Sequence, residues 1–280
     1  MSLDAARVFL FTPANRPDRF AKAAATGADA LILDLEDAVA AAGKAEARAN
    51  LLAHFAGDWR AVLAPGQACG LRVNNIHTPA GLQDLAALAA AGLRPGFVLV
   101  PKVESAVEMR LYARHLPGVP LLAAIESARG VEAAIDIATA DPAVAGLVFG
   151  GADLAVDLRA ALAWEPLYAA RARVVQAAAT AGIAAVDVPH FALDDAAALA
   201  EEARRARAMG FTGKLAIHPK QIAPIVAAFT PTAAEVAEAR EIVAALEAAG
   251  GNVVEFRGKM VEGPVVKAAQ RVLLLAARGA

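Results

Sequence analysis

Ala30-Leu31-Ile32-Leu33-Asp34-Leu35-Glu36-Asp37 is an apolar run of strand length that closes on three carboxylates. Behind it, Ala38 to Arg48 is Ala-rich and compatible with a helix. That succession reads as a buried parallel strand feeding a crossover helix. Side chains alternate along a strand, so Asp34 and Glu36 share one face while Leu35 points to the other. Like charges this close require a cation, a basic partner or a raised pKa.

The same unit, an apolar run, a polar turn and an Ala-rich helical stretch, recurs outward in both directions. Strands are expected at Arg7 to Thr12, Ala30 to Glu36, Gly70 to Asn74, Phe97 to Val103, Leu121 to Glu126, Gly146 to Gly150, Ile183 to Val188 and Lys214 to His218. Each leaves room for a helix after it. Eight β-α units with no Gly-x-Gly-x-x-Gly after the first strand point to a (β/α)8 TIM barrel, not a doubly wound sheet. The barrel is expected over residues 1–230.

Helix boundaries follow from capping chemistry. Thr78-Pro79 supplies an N-cap and an N1 proline ahead of Leu82, Leu85 and Leu88. Ser105 to Glu108 has capping-box form. Pro166 opens a long helix that Gly182 closes, and Asp194 caps another that runs to Met209 before Gly210. Thr232 to Glu235 starts one helix too many for the barrel, running to about Ala249. A short β-rich or irregular segment, Asn252 to Val261, and a last helical stretch, Val265 to Ala277, complete a 231–280 extension expected to pack on its own barrel or on a neighbouring subunit.

Composition narrows the class. The 280 residues are 58% hydrophobic, with a net charge of -2. A core is available, no apolar run reaches a membrane span, and no basic field invites nucleic acid. The first residues carry no signal-peptide pattern, so a cytoplasmic location is expected. The single cysteine, Cys69, lies in an apolar run before Arg72 and reads as a buried thiol.

A TIM barrel keeps its active site at the C-terminal strand ends. In order, those ends carry Asn15 and Arg16, Asp34 and Glu36, Arg72 and Asn74, Lys102 and Glu104, Glu126, Asp153, Asp187 and His218. Asp37 reads equally as a helix cap. Glu126 and Asp153 follow hydrophobic runs, the second inside Phe149-Gly150-Gly151-Ala152-Asp153-Leu154. They read either as ligands of a hard cation, magnesium before zinc, or as acids balanced by Arg72 and Lys102. Arg72 reads either as a fork for a substrate carboxylate or as a structural partner of Asp34 or Glu36. His218 is expected to support other residues. His77 and His190 receive no role, and no serine sits in a nucleophile elbow.

Seven segments in succession resemble the citrate lyase β-subunit-like branch of the HpcH/HpaI aldolase family. They are Phe9 to Asn15, Leu33 to Val39, Leu71 to Asn74, Val100 to Ser105, Ile125 to Gly130, Phe149 to Leu154 and Gly210 to Ile222. The tail Gly258 to Pro264 is also similar to that family's closing segment. The resemblance implies a TIM-barrel carbon-carbon lyase, trimeric or a multiple of that, using Mg2+ on thioesters of coenzyme A or an acyl carrier protein. It implies magnesium on Glu126 and Asp153 and a substrate carboxylate on Arg72, assisted by the amides of Gly151, Ala152 and Asp153. Asn15 and Lys22 would meet the thioester carrier, although Ala14 and Arg16-Pro17-Asp18-Arg19 depart from the usual glycine and lysine-rich form. Glu262 stands where several members carry an aspartate that acts as acid or base.

The activity expected from the resemblance is retro-Claisen cleavage of a 3-hydroxyacyl thioester, first of all citryl thioester to oxaloacetate and acetyl thioester. Glu36, a bound water and Glu262 are the candidates for proton transfer. The alternatives are a malyl-CoA or citramalyl-CoA lyase, a class II pyruvate-type aldolase and a non-catalytic subunit of a lyase complex.

Overall fold

In the computed structural model, which describes residues 3–248 and 253–278, eight parallel strands close in sequence order into a barrel. The strands are β1 (Val8–Pro13), β2 (Ala30–Asp34), β3 (Ala68–Arg72), β4 (Val98–Val100), β5 (Leu121–Ile125), β6 (Val144–Phe149), β7 (Ala184–Asp187) and β8 (Gly213–Ala216). All eight expected strands are present, and the closing ladder pairs β1 with β8. From β2 onward each ends before the expected residue. Asp34, Arg72 and Asp187 are the last residues of their strands, while Glu36, Asn74, Lys102, Glu104, Glu126 and His218 sit one or more residues beyond, where the chain has left the ladder.

Alternation decides what fills the barrel. Phe9, Ala30, Ile32, Phe97, Leu99, Leu122, Ala124, Val148, Val186 and Leu215 form one buried cluster, joined by Leu3 and Ala6 from ahead of β1. Phe9 and Phe97 meet edge to face at 6.1 Å. On β2 the inward residues are Ala30 and Ile32, so the same parity carries Asp34 inward at the C-terminal end. On β5 Leu122 and Ala124 do the same for Glu126. Interior packing thus aims both carboxylates at the barrel mouth.

The helices follow their caps, with local corrections. Thr78 accepts from the Gly81 amide at 3.1 Å and starts the helix Pro79–Ala91. Its buried face is Gly81, Asp84, Leu85 and Leu88, while Leu82 is exposed. Asp84 turns inward because it holds Arg48 at 2.6 Å and the Asn74 amide at 2.8 Å. At Ser105 the hydroxyl donates to Glu108 at 3.0 Å and caps no amide, so the capping box is incomplete. The long helix starts at Trp164, ahead of Pro166, and ends at Ala181 where Gly182 takes φ 70°, a conformation that a side chain would strain. Asp195, not Asp194, caps Ala196–Met209, accepting from the Ala198 amide at 2.9 Å.

The chain divides into two compact units, Met1–Val226 and Ala227–Ala280. In the second, Thr232 and Glu235 form a reciprocal capping box at 2.6 and 3.2 Å at the start of the helix Ala233–Ala248. An antiparallel hairpin of β9 (Val254–Phe256) and β10 (Lys259–Val261) leads to the helix Gly263–Arg278. The expected end of the first of these helices near Ala249 and the start of the β segment at Asn252 lie outside the described residues. No helix among the described residues is long and apolar enough to cross a membrane.

Candidate active site

Register assembles the first part of the site. Asp34 and Arg72 are direct neighbours across β2 and β3, at the last paired position of each. The arginine donates through Nε and Nη2 to the two oxygens of Asp34, both at 2.7 Å. Asp34 also accepts from the amides of Glu36 at 2.9 Å and Ala38 at 3.1 Å, which folds the chain back into a turn. β2 has ended by then, so this turn, not strand alternation, brings Glu36 to the same arginine. Glu36 Oε2 lies 3.0 Å from Arg72 Nη1 without the alignment of a hydrogen bond, and Asp37 lies 3.4 Å from the same nitrogen. Phe11 underlies the guanidinium at 4.7 Å. Burial works against the charge of Arg72, but the Asp34 fork outweighs it and holds the pKa above its ordinary value.

Lys102 completes the charge balance. It has φ 52°, a left-handed conformation rare for a side-chain-bearing residue. Its ammonium donates to Glu36 Oε1 at 2.6 Å and its amide to Glu126 Oε2 at 2.8 Å. One residue thus ties together the ends of β2, β4 and β5. Burial alone would lower its pKa; the hydrogen bond to Glu36 outweighs that and pushes it up to about 12. Glu36 is raised by burial, against the opposing pull of Arg72 and Lys102.

Glu126, immediately after β5, is only 8% exposed. Burial, with the charge of Glu36 behind it, pushes its carboxyl up to about 7, and Asp153 adds to the rise. Gly150 makes room for it, since a Cβ there would meet Glu126 Cγ at 2.2 Å. Asp153 is exposed in the first turn of the helix Gly151–Asp157, with Gly151 and Ala152 before it. Among the described residues no three His, Cys, Asp or Glu side chains converge to hold a metal. Asp153 thus adds to the cost of ionising Glu126. That frustration is what a divalent ion relieves, and a two-carboxylate site completed by water or substrate oxygens suits magnesium.

Other expected positions have partners or surroundings of their own. Asn15 and Lys22 are exposed beyond β1, on either side of Pro17–Arg19. Glu262 is exposed in the second unit, its carbonyl accepting from the amides of Val265 and Val266. Asn74 is taken up by Asp84 at 2.7 Å. His218 caps the short helix Pro219–Gln221 through Nδ1, consistent with a supporting role. Asp187 is spent on Arg171 and Lys214. Lys102 is the residue whose part in the cluster the sequence does not mark. It was visible at a strand end, but nothing in the sequence announces a left-handed lysine.

Residues 7–219 match the HpcH/HpaI aldolase/citrate lyase family. The chain belongs to that family. Residues 163–278 also match the C-C bond lyases of the TIM-barrel fold. A citrate lyase subunit beta-like protein of Deinococcus radiodurans is 38% identical over 278 residues, covering 95% of this chain and 96% of that one. An L-malyl-CoA/beta-methylmalyl-CoA lyase of Cereibacter sphaeroides is 34% identical over 303 residues, with 95% and 93% coverage. Among solved structures, the CitE protein of Mycobacterium tuberculosis in complex with magnesium, acetoacetate and coenzyme A superposes with a TM-score of 0.84 at 37% identity, covering 98% of this chain and 100% of that one. This chain is accordingly a carbon-carbon lyase on a TIM barrel. The expectation of Mg2+ and a coenzyme A thioester agrees with what this solved neighbour holds.

Proposed function

We propose that this protein catalyses reversible retro-Claisen cleavage of a 3-hydroxy-3-carboxyacyl thioester, with citryl thioester giving oxaloacetate and an acetyl thioester. The observation that carries the reading is the buried, charge-frustrated Glu126 at the end of β5, in one cluster with Arg72, Lys102 and Glu36. Magnesium, held by Glu126 and Asp153, would supply Lewis-acid polarisation of the substrate's hydroxyl and adjacent carboxylate. Arg72 orients that carboxylate. Its Nε and Nη2 are taken by Asp34, so the substrate carboxylate would meet the guanidinium at Nη1, displacing Glu36 and Asp37 from that nitrogen. The amides of Gly151, Ala152 and Asp153 belong to a first helical turn, where amides have no intrahelical acceptor, and they assist the same carboxylate.

The hydroxyl proton passes to a base and the carbon-carbon bond breaks. Its electron pair becomes the enolate of the acetyl thioester, which then takes a proton. Glu36 and Glu262 are the carboxylates assigned to these transfers. Lys102, 2.6 Å from Glu36, sets how readily Glu36 holds its proton. Asn15 and Lys22 meet the thioester carrier, coenzyme A or an acyl carrier protein. The 231–280 extension serves a homotrimer or a multiple of one, or contacts with other lyase subunits.

The malyl-CoA lyase relative supports a second reading in which the same residues cleave a malyl-CoA or citramalyl-CoA type substrate. A panel of 3-hydroxyacyl-CoA thioesters, assayed with and without magnesium for oxaloacetate, glyoxylate or pyruvate, separates the two. Full turnover after chelation, or in Glu126→Ala and Asp153→Ala proteins that remain folded, would refute the metal assignment.

A further inference from the structure

The ladder between β4 and β5 breaks at Lys102. Before the break the Val98 amide donates to the Pro120 carbonyl at 2.9 Å, and after it the Val103 amide donates to the Ala124 carbonyl at 3.0 Å. Between those two bonds the β4 side advances five residues and the β5 side only four. One residue is therefore extra. That is a bulge, a device that re-aims a group beside an active site. Regular two-residue spacing would give the Ala124 carbonyl to the Lys102 amide. Freed from the ladder, that amide needs another acceptor, and it finds Glu126 Oε2 at 2.8 Å.

The bulge is strained. Lys102 carries φ 52° with a full side chain, in a region such residues seldom enter. A conformation of this kind persists only where its surroundings fix it firmly. Here the amide is one fixed point and the ammonium, 2.6 Å from Glu36 Oε1, is the other. Glu36 is a firm anchor, because it is buried and its Oε2 lies 3.0 Å from Arg72 Nη1. The two oxygens of Glu126 then divide. Oε2 is spent on the Lys102 amide. Oε1 accepts no hydrogen bond from the described residues and, unlike the sealed Oε2 of Glu36, keeps accessible surface.

We propose that Lys102 is a positioning residue for the metal: its ammonium, anchored on Glu36, holds the left-handed backbone that turns the amide onto Glu126 Oε2 and presents Oε1 to magnesium. The inference rests on the reading of Glu126 as a magnesium ligand. In this role Lys102 touches neither metal nor substrate. It acts through its backbone, and its charge serves to keep that backbone in place. A residue that reaches positive φ without help should therefore replace it for metal binding, whereas a neutral side chain that resists positive φ should not. Glycine is the first kind, and methionine and glutamine are the second.

The test is calorimetric titration of the full chain with magnesium chloride, without substrate, in wild type, Lys102→Gly, Lys102→Met, Lys102→Gln and Glu126→Ala. All three Lys102 variants lose the same charge, so differences among them report the backbone. Lys102→Met is expected to raise the Mg2+ Kd about tenfold, because its backbone relaxes and carries the amide off Glu126. Lys102→Gln is expected to do the same, so the result does not hang on the folding of one variant. Lys102→Gly is expected to stay within about threefold of wild type. A lysine that served stability alone would lower Tm in every variant without separating their Mg2+ affinities. Equal Kd for the glycine variant and the two side-chain variants, or weaker binding by the glycine variant, would overturn the inference while leaving the metal assignment standing. Wild-type Mg2+ affinity in Glu126→Ala would refute the metal assignment, and the inference with it.

Discussion

Gly150→Ala puts the geometry around Glu126 under direct test. The glycine has φ -92° and ψ 65°, so an alanine is not barred by a positive φ. The obstacle is space, because the added Cβ would stand 2.2 Å from Glu126 Cγ and 2.6 Å from its Oε1. Normal contact begins at about 3.4 Å, so the Glu126 side chain must retreat by about 1.2 Å, which pulls Oε2 off the Lys102 amide. Overpacking of this kind costs about 1–3 kcal/mol, a drop of several degrees in Tm for a chain of this size. If Glu126 holds the metal as proposed, its displacement by about 1 Å costs on the order of 100-fold in kcat/KM. Calorimetric titration with Mg2+ reads the site without a substrate, and turnover on the preferred thioester reads the chemistry. We expect Mg2+ affinity to fall steeply while the circular dichroism spectrum stays native. Wild-type Mg2+ affinity together with kcat/KM within about threefold of wild type would show that the position of Glu126 does not matter, and the reasoning would fail.

Arg72→Lys keeps the charge but cannot hold Asp34 at two points, and oxaloacetate binding should weaken about tenfold in inhibition assays; unchanged affinity would mean that the arginine serves Asp34 alone. The Glu126 carboxyl, raised to about 7, binds its proton more tightly in the folded chain than in the unfolded one. Without metal, its contribution to stability is therefore present in acid and declines as pH rises from the ordinary carboxylate range through about 7. Glu126→Gln should then stabilise the chelated protein at pH ~8 by a few kcal/mol, seen as a higher denaturation midpoint, and a lower midpoint would reverse the sign of the argument. Burial pushes the Cys69 thiol up to about 12, so a thiol reagent at pH ~8 should leave the folded protein unlabelled and react once it is unfolded. Rapid labelling of the folded state would contradict the buried placement.

Much of this molecule could be read from the order of its residues. Eight apolar runs separated by helix-length, capped, Ala-rich stretches define a barrel, because parallel strands buried on both faces must be continuously apolar and must be joined by crossovers. Parity along β2 and β5 already aims Asp34 and Glu126 at the mouth, since two-residue alternation is fixed by the backbone. Turn chemistry was less legible. Asp34 spends its carboxylate on two amides and an arginine, a division that depends on the register of β2 against β3. Lys102 reaches both Glu36 and Glu126 only because its backbone enters a left-handed conformation that no residue type at that position foretells. The pairing of Asp187 with Arg171 and Lys214 arises where the helix Trp164–Ala181 meets β7 and β8. The sequence by itself determined the architecture and the inventory of charged groups at the barrel mouth, through periodicities of the backbone. Tertiary structure alone decided which of those charges neutralise one another and which are left over, because that depends on distances and on burial between residues far apart in the chain.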